Sequence, residues 1–119
     1  MRTAAALRAE TVRLGKRELV SYSAAFSPLF AYFGFVELAT VEMAHEEEVR
    51  PRRLMEVARI IRKRKVGVIV GEATNPRPAE VLAEETGARL VLLWPTTDAT
   101  GDYLHTLRRN VALLCEGFR

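Results

Sequence analysis

Leu19-Val-Ser-Tyr-Ser-Ala-Ala-Phe-Ser-Pro-Leu-Phe-Ala-Tyr-Phe-Gly34 changes character at its middle. The first four residues form a short apolar run of strand type. Small hydroxyl residues follow, then an aromatic-rich segment that ends at a glycine, the pattern of a helix with its stop signal. Ser23 or Ser27 can cap that helix, and Pro28 suits its first turn. Phe26, Phe30 and Phe33 fall on one helical face, which is expected to pack on a sheet. In an open α/β sheet, ligands sit beyond the carboxyl ends of the strands, where a strand hands over to a helix. Tyr22 and Ser23 are therefore expected on the rim of a cleft.

The same alternation recurs on both sides of this stretch. Residues 4–14 read as a helix with a ragged apolar face (Leu7, Val12, Leu14), ended by Gly15. Residues 35–42 are rich in β-formers and read as a second strand. A loop with His45 and three consecutive glutamates precedes Pro51, which opens a helix carrying Leu54, Val57, Ala58 and Ile61 at helical spacing. The cations of residues 62–65 suit the negative end of that helix. Residues 66–70 are continuously apolar, as in a strand buried on both faces. A helix over 78–86, with Val81 and Leu82 inward, a strand over 88–93 and a loop over 94–101 follow. Asp102 is placed to cap a last helix with Leu104, Leu107, Val111 and Leu114 along one face. Four strand–helix units in succession imply an α/β fold: a three-layer domain with a four-stranded parallel sheet and helices on both faces. Right-handed crossovers reduce the topologies, and the expected order is 2-1-3-4, with its reversal between strands 1 and 3.

Composition sets bounds on function. The 119 residues suit one domain, and 49% apolar with 28% charged residues describe a globular chain. The net charge of +3 comes from fifteen arginines and three lysines against fifteen acids. They are spread along the chain, and the one cationic run, Arg62 to Lys65, has no interleaved aromatics, so nucleic acid is not an expected partner. The lone Cys115 excludes an internal disulfide and a cysteine-rich zinc site, and reads as a half-buried small hydrophobe. No stretch has the length of a membrane span, and residues 1–10 lack the apolar core of a signal peptide.

Candidate chemistry collects at the expected strand ends. Asp98, in the loop after the fourth strand, can bind a hard or borderline cation or cap the local turn. Glu72 follows the fully apolar strand and can either serve a site or accept hydrogen bonds from a neighbouring loop. His45 and Glu46 to Glu48 are consecutive and cannot all converge on one ion, so a solvated loop is the simpler reading; His105 reads as a surface residue. No nucleophile elbow, phosphate-binding glycine loop or helical histidine pair is present. The parts of an enzyme are missing, and no catalytic residue is assigned.

Residues 20–34 resemble the stretch that opens the second lobe of the extracytoplasmic zinc- and manganese-binding proteins of ABC importers. Glu47-Glu-Val-Arg-Pro-Arg-Arg-Leu54, Val66-Gly-Val-Ile-Val-Gly-Glu72, Ala79-Glu-Val-Leu-Ala-Glu-Glu-Thr-Gly-Ala88 and Gly101-Asp-Tyr-Leu104 with Asn110 resemble that family's later segments in the same order. The resemblance runs from about residue 17 to the end. It implies that residues 16–119 are the C-terminal lobe of a two-lobe solute-binding fold and residues 1–15 the end of the helix joining the lobes. It places one family ligand position, a histidine or glutamate, on Ser23 and the other on Asp98, with Glu72 in a supporting place. The family's first lobe, which supplies two histidines, has no counterpart here.

A tetrahedral site needs about four ligands, and a neutral hydroxyl is a poor one for zinc. The expectation is thus a metal-binding lobe with an incomplete site, holding zinc or manganese weakly by itself. A missing N-terminal lobe or second chain and an ABC permease are its implied partners, and the family's compartment is periplasmic, although no signal peptide is visible. The rival from another class is a degenerate flavodoxin-like interaction or regulatory domain without a ligand. A third is a small enzyme using Glu72 and Asp98 as paired carboxylates.

Overall fold

The computed structural model describes Ala6, Ala9 and residues 17–42, 51–95 and 101–118. Four strands, β1 (Glu18–Ser23), β2 (Val36–Glu42), β3 (Val68–Glu72) and β4 (Arg89–Leu93), alternate with four helices, α1 (Ser27–Phe33), α2 (Pro51–Arg64), α3 (Arg77–Thr86) and α4 (Tyr103–Gly117). The sheet is parallel throughout, in the order β2-β1-β3-β4, as expected. The reversal falls between β1 and β3. Of the expected opening helix, only Ala6 and Ala9 are described, both helical; the rest of it, the His45 loop and Asp98 lie outside the described residues. Among the described residues, no helix is long and apolar enough to cross a membrane.

The alternation of β1 divides the core in two. Leu19 belongs to the layer beneath α1 and α4, with Phe26, Phe30 and Phe33, Val68 and Val70, Val111 and Leu114. Val20 belongs to the opposite layer, beneath α2 and α3, with Val57, Ile61, Ile69, Ala79 and Leu82. Burial of both faces is what a central parallel strand requires. The three phenylalanines therefore do what their spacing implies. Phe26 is 4% exposed, because the turn before α1 folds it inward.

Three expectations are corrected. Strand β3 begins two residues later and ends two later than the apolar run suggested. Lys65 takes a left-handed conformation (φ 53°) to end α2, and Val66 N–H donates to the Ile61 carbonyl (2.9 Å), so Val66 belongs to the helix exit. Val81 points outward, 43% exposed; Ala79, Leu82 and Ala83 form the inward face of α3. On α4, Leu104 also faces out, and Thr106 and Asn110 take inward places.

Glycines act at two places. Gly34 ends α1 in the left-handed region (φ 79°), with its N–H donating to the Phe30 carbonyl. Gly71 extends β3 directly beneath α3: a Cβ there would lie 2.4 Å from the Ala79 Cβ. Helix α3 can approach the sheet this closely only over a residue without a side chain. Gly71→Ala is expected to cost about 1–3 kcal/mol of stability through overpacking, read as a lower urea midpoint with an unchanged slope.

Candidate functional site

The carboxyl edge of the sheet is assembled by strand register. Ser23, the last residue of β1, pairs with Glu42, the last residue of β2. On the other side, Ser21 pairs with Val70, so two residues further on Ser23 comes level with Glu72, the last residue of β3. Glu72 in turn pairs with Leu93, the last residue of β4. The structure thus brings Ser23 and Glu72 to one edge, next to each other in register. Asp98 follows β4 within five residues of Leu93, outside the described residues.

Each strand end is secured by local hydrogen bonds. The Ser23 hydroxyl accepts the Ala25 N–H (3.2 Å) and starts the short 3-10 turn Ala24–Phe26. Ser23 is the capping residue, and Ser27 is the first residue of α1, with Pro28 in its first turn. The Asn75 N–H donates to the Glu72 carbonyl (3.1 Å), and the Ala73 N–H to the Leu93 carbonyl (2.7 Å), which closes the β3 exit against β4. Asp102 caps α4 as expected, accepting from the Leu104 and His105 N–H groups at 3.0 and 3.1 Å.

Two arrangements here were not anticipated from the residue pattern. The first is a carboxylate shared by two hydroxyls. Ser21, fully buried on β1, donates to Glu37 of β2, and Ser27 donates to the other oxygen of the same carboxylate (2.7 Å). Glu37 thereby fastens β1, β2 and the start of α1. The second is an amide clamp. Asn110, 3% exposed, accepts the Trp94 N–H (3.1 Å) and donates to the Trp94 carbonyl (3.0 Å). One carboxamide satisfies both backbone polar groups of a single residue, as a neighbouring strand would. It fixes the chain where β4 gives way to the segment carrying Asp98. The signal for Asn110 was a polar residue breaking the apolar face of a predicted helix.

Tyr22 alternates to the other face of β1, beneath α2 and α3, and not into the space above Ser23. Partial burial raises its phenol pKa above the ordinary 10, and the nearby Glu42 carboxylate adds to the shift. Among the described residues, no group of three or more His, Cys, Asp or Glu side chains gathers where it could hold a metal ion.

A family model described as zinc-uptake complex component A, periplasmic, matches residues 2–117. The iron-binding protein YfeA of Yersinia pestis is 28% identical over an alignment of 110 residues that covers 87% of this chain and 35% of that protein. Among solved structures, zinc-bound AdcAII of Streptococcus pneumoniae, in a mutant form, superimposes with a TM-score of 0.78 at 28% identity, covering 98% of this chain and 43% of that one. The laminin-binding protein Lbp of Streptococcus pyogenes gives 0.79 at 26% identity, covering 98% and 47%. The chain spans about a third of its curated relative and less than half of these two structures. The matching family is one of solute-binding components, not an enzyme class.

Asn110→Ala would leave the half-buried N–H and C=O of Trp94 without their partner. The expected loss is about 1–3 kcal/mol, measured by denaturation followed through the fluorescence of Trp94. The raised Tyr22 pKa carries a pH signature. Folding favours the neutral phenol, so this contribution is full below the unfolded value near 10 and is lost as pH rises through the folded value. Tyr22→Phe is expected to flatten the fall in stability above about pH 10, and to remove from the 295 nm absorbance titration a phenol ionising above the ordinary value.

Proposed function

The chain belongs to the periplasmic zinc-uptake component A family, and from that premise we propose that it is a metal-ion-binding lobe, one wall of a cation site in the solute-binding component of an importer. The observation that supports this most is the carboxyl edge of the sheet. Ser23 and Glu72 stand side by side at its centre, and the chain leaves β4 toward Asp98 from the same edge.

In this reading the metal is cargo, bound and handed on. Asp98 supplies an anionic oxygen. Ser23 stands at a family ligand position with a neutral hydroxyl, already engaged by the Ala25 N–H. Glu72 supports the site from the neighbouring strand. A second lobe or chain must add nitrogen ligands, because zinc is held by about four groups. Zinc or manganese binding by these 119 residues alone is accordingly weak. AdcAII is zinc-bound and YfeA is an iron-binding protein, which supports a metal ion as the cargo. An ABC permease and a periplasmic setting follow from the same family reading.

Calorimetric titration of the 119-residue chain with zinc and with manganese tests this. Affinity weaker than micromolar is expected for both. Ser23→His should tighten zinc binding on the order of tenfold or more, since even residues that only support a ligand commonly change affinity by that factor. Asp98→Ala should abolish what binding remains. Sub-micromolar binding that survives Asp98→Ala would overturn the assignment.

A further inference from the structure

Helices α2 and α3 lie side by side on one face of the sheet, and a groove of about 790 Å³ runs between them, away from the carboxyl edge. Its size is within the range of small-molecule sites. Its chemistry is graded along its length. Tyr22, Leu54, Met55 and Pro78 line the end nearest the strand tips; Val81 and Leu82 line the middle. Arg59, Arg62 and Lys63, on the C-terminal half of α2, line the far end together with Glu85 of α3. From Leu54 to Lys63 the helix advances about 14 Å.

Two features set this groove apart from an ordinary helix–helix seam. Two of its apolar side chains are left in water: Met55 is 65% exposed and Val81 43%. Its charges are unbalanced. Arg62 donates to the Glu85 carbonyl (3.0 Å), and that bond neutralises nothing. Arg59 and Lys63 have no carboxylate partner among the described residues. Three cations face one carboxylate, and the half-charges at the C-terminal ends of the two helices offset only part of the excess.

We propose that the α2–α3 groove is a binding site for a free single-chain anionic amphiphile, a long-chain carboxylate with its tail along Met55, Val81 and Leu82 and its head at Arg59, Arg62 and Lys63. The charge gradient selects this occupant. A second copy of the chain would bring the same excess of cations to the contact. Residues 1–16 hold Arg2, Arg8, Arg13 and Lys16 against Glu10 alone, so they too would be repelled. A carboxylate with an aliphatic tail satisfies both ends of the groove at once. This site is separate from the metal reading and does not depend on it.

The test is displacement of a fluorescent fatty acid, dansyl-undecanoate, from the 119-residue chain, with laurate and dodecyltrimethylammonium as competitors below their micelle-forming concentrations. Laurate is expected to compete at least tenfold better than the cationic amphiphile. Arg59→Glu combined with Lys63→Glu should weaken laurate at least tenfold and reverse that preference. Both positions are exposed, so the fold should survive, and thermal melting checks it. Val81→Asp should remove binding of both amphiphiles. Metal titration of the same variants should be unchanged. Equal competition by the two head groups in the unaltered chain would overturn the proposal without any variant. So would absence of laurate binding, laurate affinity unchanged by the charge reversal, or association with anionic phosphatidylglycerol vesicles alone.

Discussion

A hydroxyl shut away from water in the central strand must find an acceptor, and the carboxyl edge is organised by where it finds one. Ser21 is fully buried on β1 and donates to Glu37 of β2; Ser27, at the start of α1, donates to the other oxygen of that carboxylate. Slipping β2 by one residue would turn Glu37 to the opposite layer and leave both hydroxyls without their acceptor. The register shift between Leu19 and Val20 is accommodated within this arrangement. Glu42 consequently comes level with Ser23, and α1 departs at the point that buries Phe26, Phe30 and Phe33. A buried polar group costs little once bonded and much when orphaned, so the network selects one register over its neighbours.

The far side of the sheet edge is held by the same kind of economy. Asn110 lends one carboxamide to both backbone polar groups of Trp94 and so extends the pairing of β4 without a fifth strand. Glu72 is paired with Leu93 of β4, and its carbonyl is taken by Asn75. The edge therefore offers a few polar side chains on fixed backbone, which is what a binding wall requires. The opposite face has a different character. There α3 sits tightly on Gly71 while its outer side, with that of α2, leaves an apolar channel with cations at one end.

Much of the fold was legible because the signals were redundant. A parallel sheet announces itself when apolar runs alternate with helical periods, and the order 2-1-3-4 follows from right-handed crossovers with few rivals. Helix boundaries were readable where side-chain chemistry marks them: Pro51, Gly34 and Asp102 act as expected. The errors share one cause. Val66, Val81 and Leu104 are apolar, and hydrophobicity alone does not say whether a residue meets the core, an exit turn or an open groove. Phe26 lies just before α1, and the turn that Ser23 nucleates swings it inward to join Phe30 and Phe33.

From the sequence alone came the strand–helix alternation, the parallel order and the placing of Ser23 and Glu72 at strand ends, all of which depend on local periodicity and on chirality common to every chain. The tertiary structure alone decided the partners of Ser21, Glu37 and Asn110, the side of the sheet taken by Tyr22, and the channel between α2 and α3. Those depend on residues 10 or more positions apart in the chain meeting in space, and no periodicity encodes such a meeting.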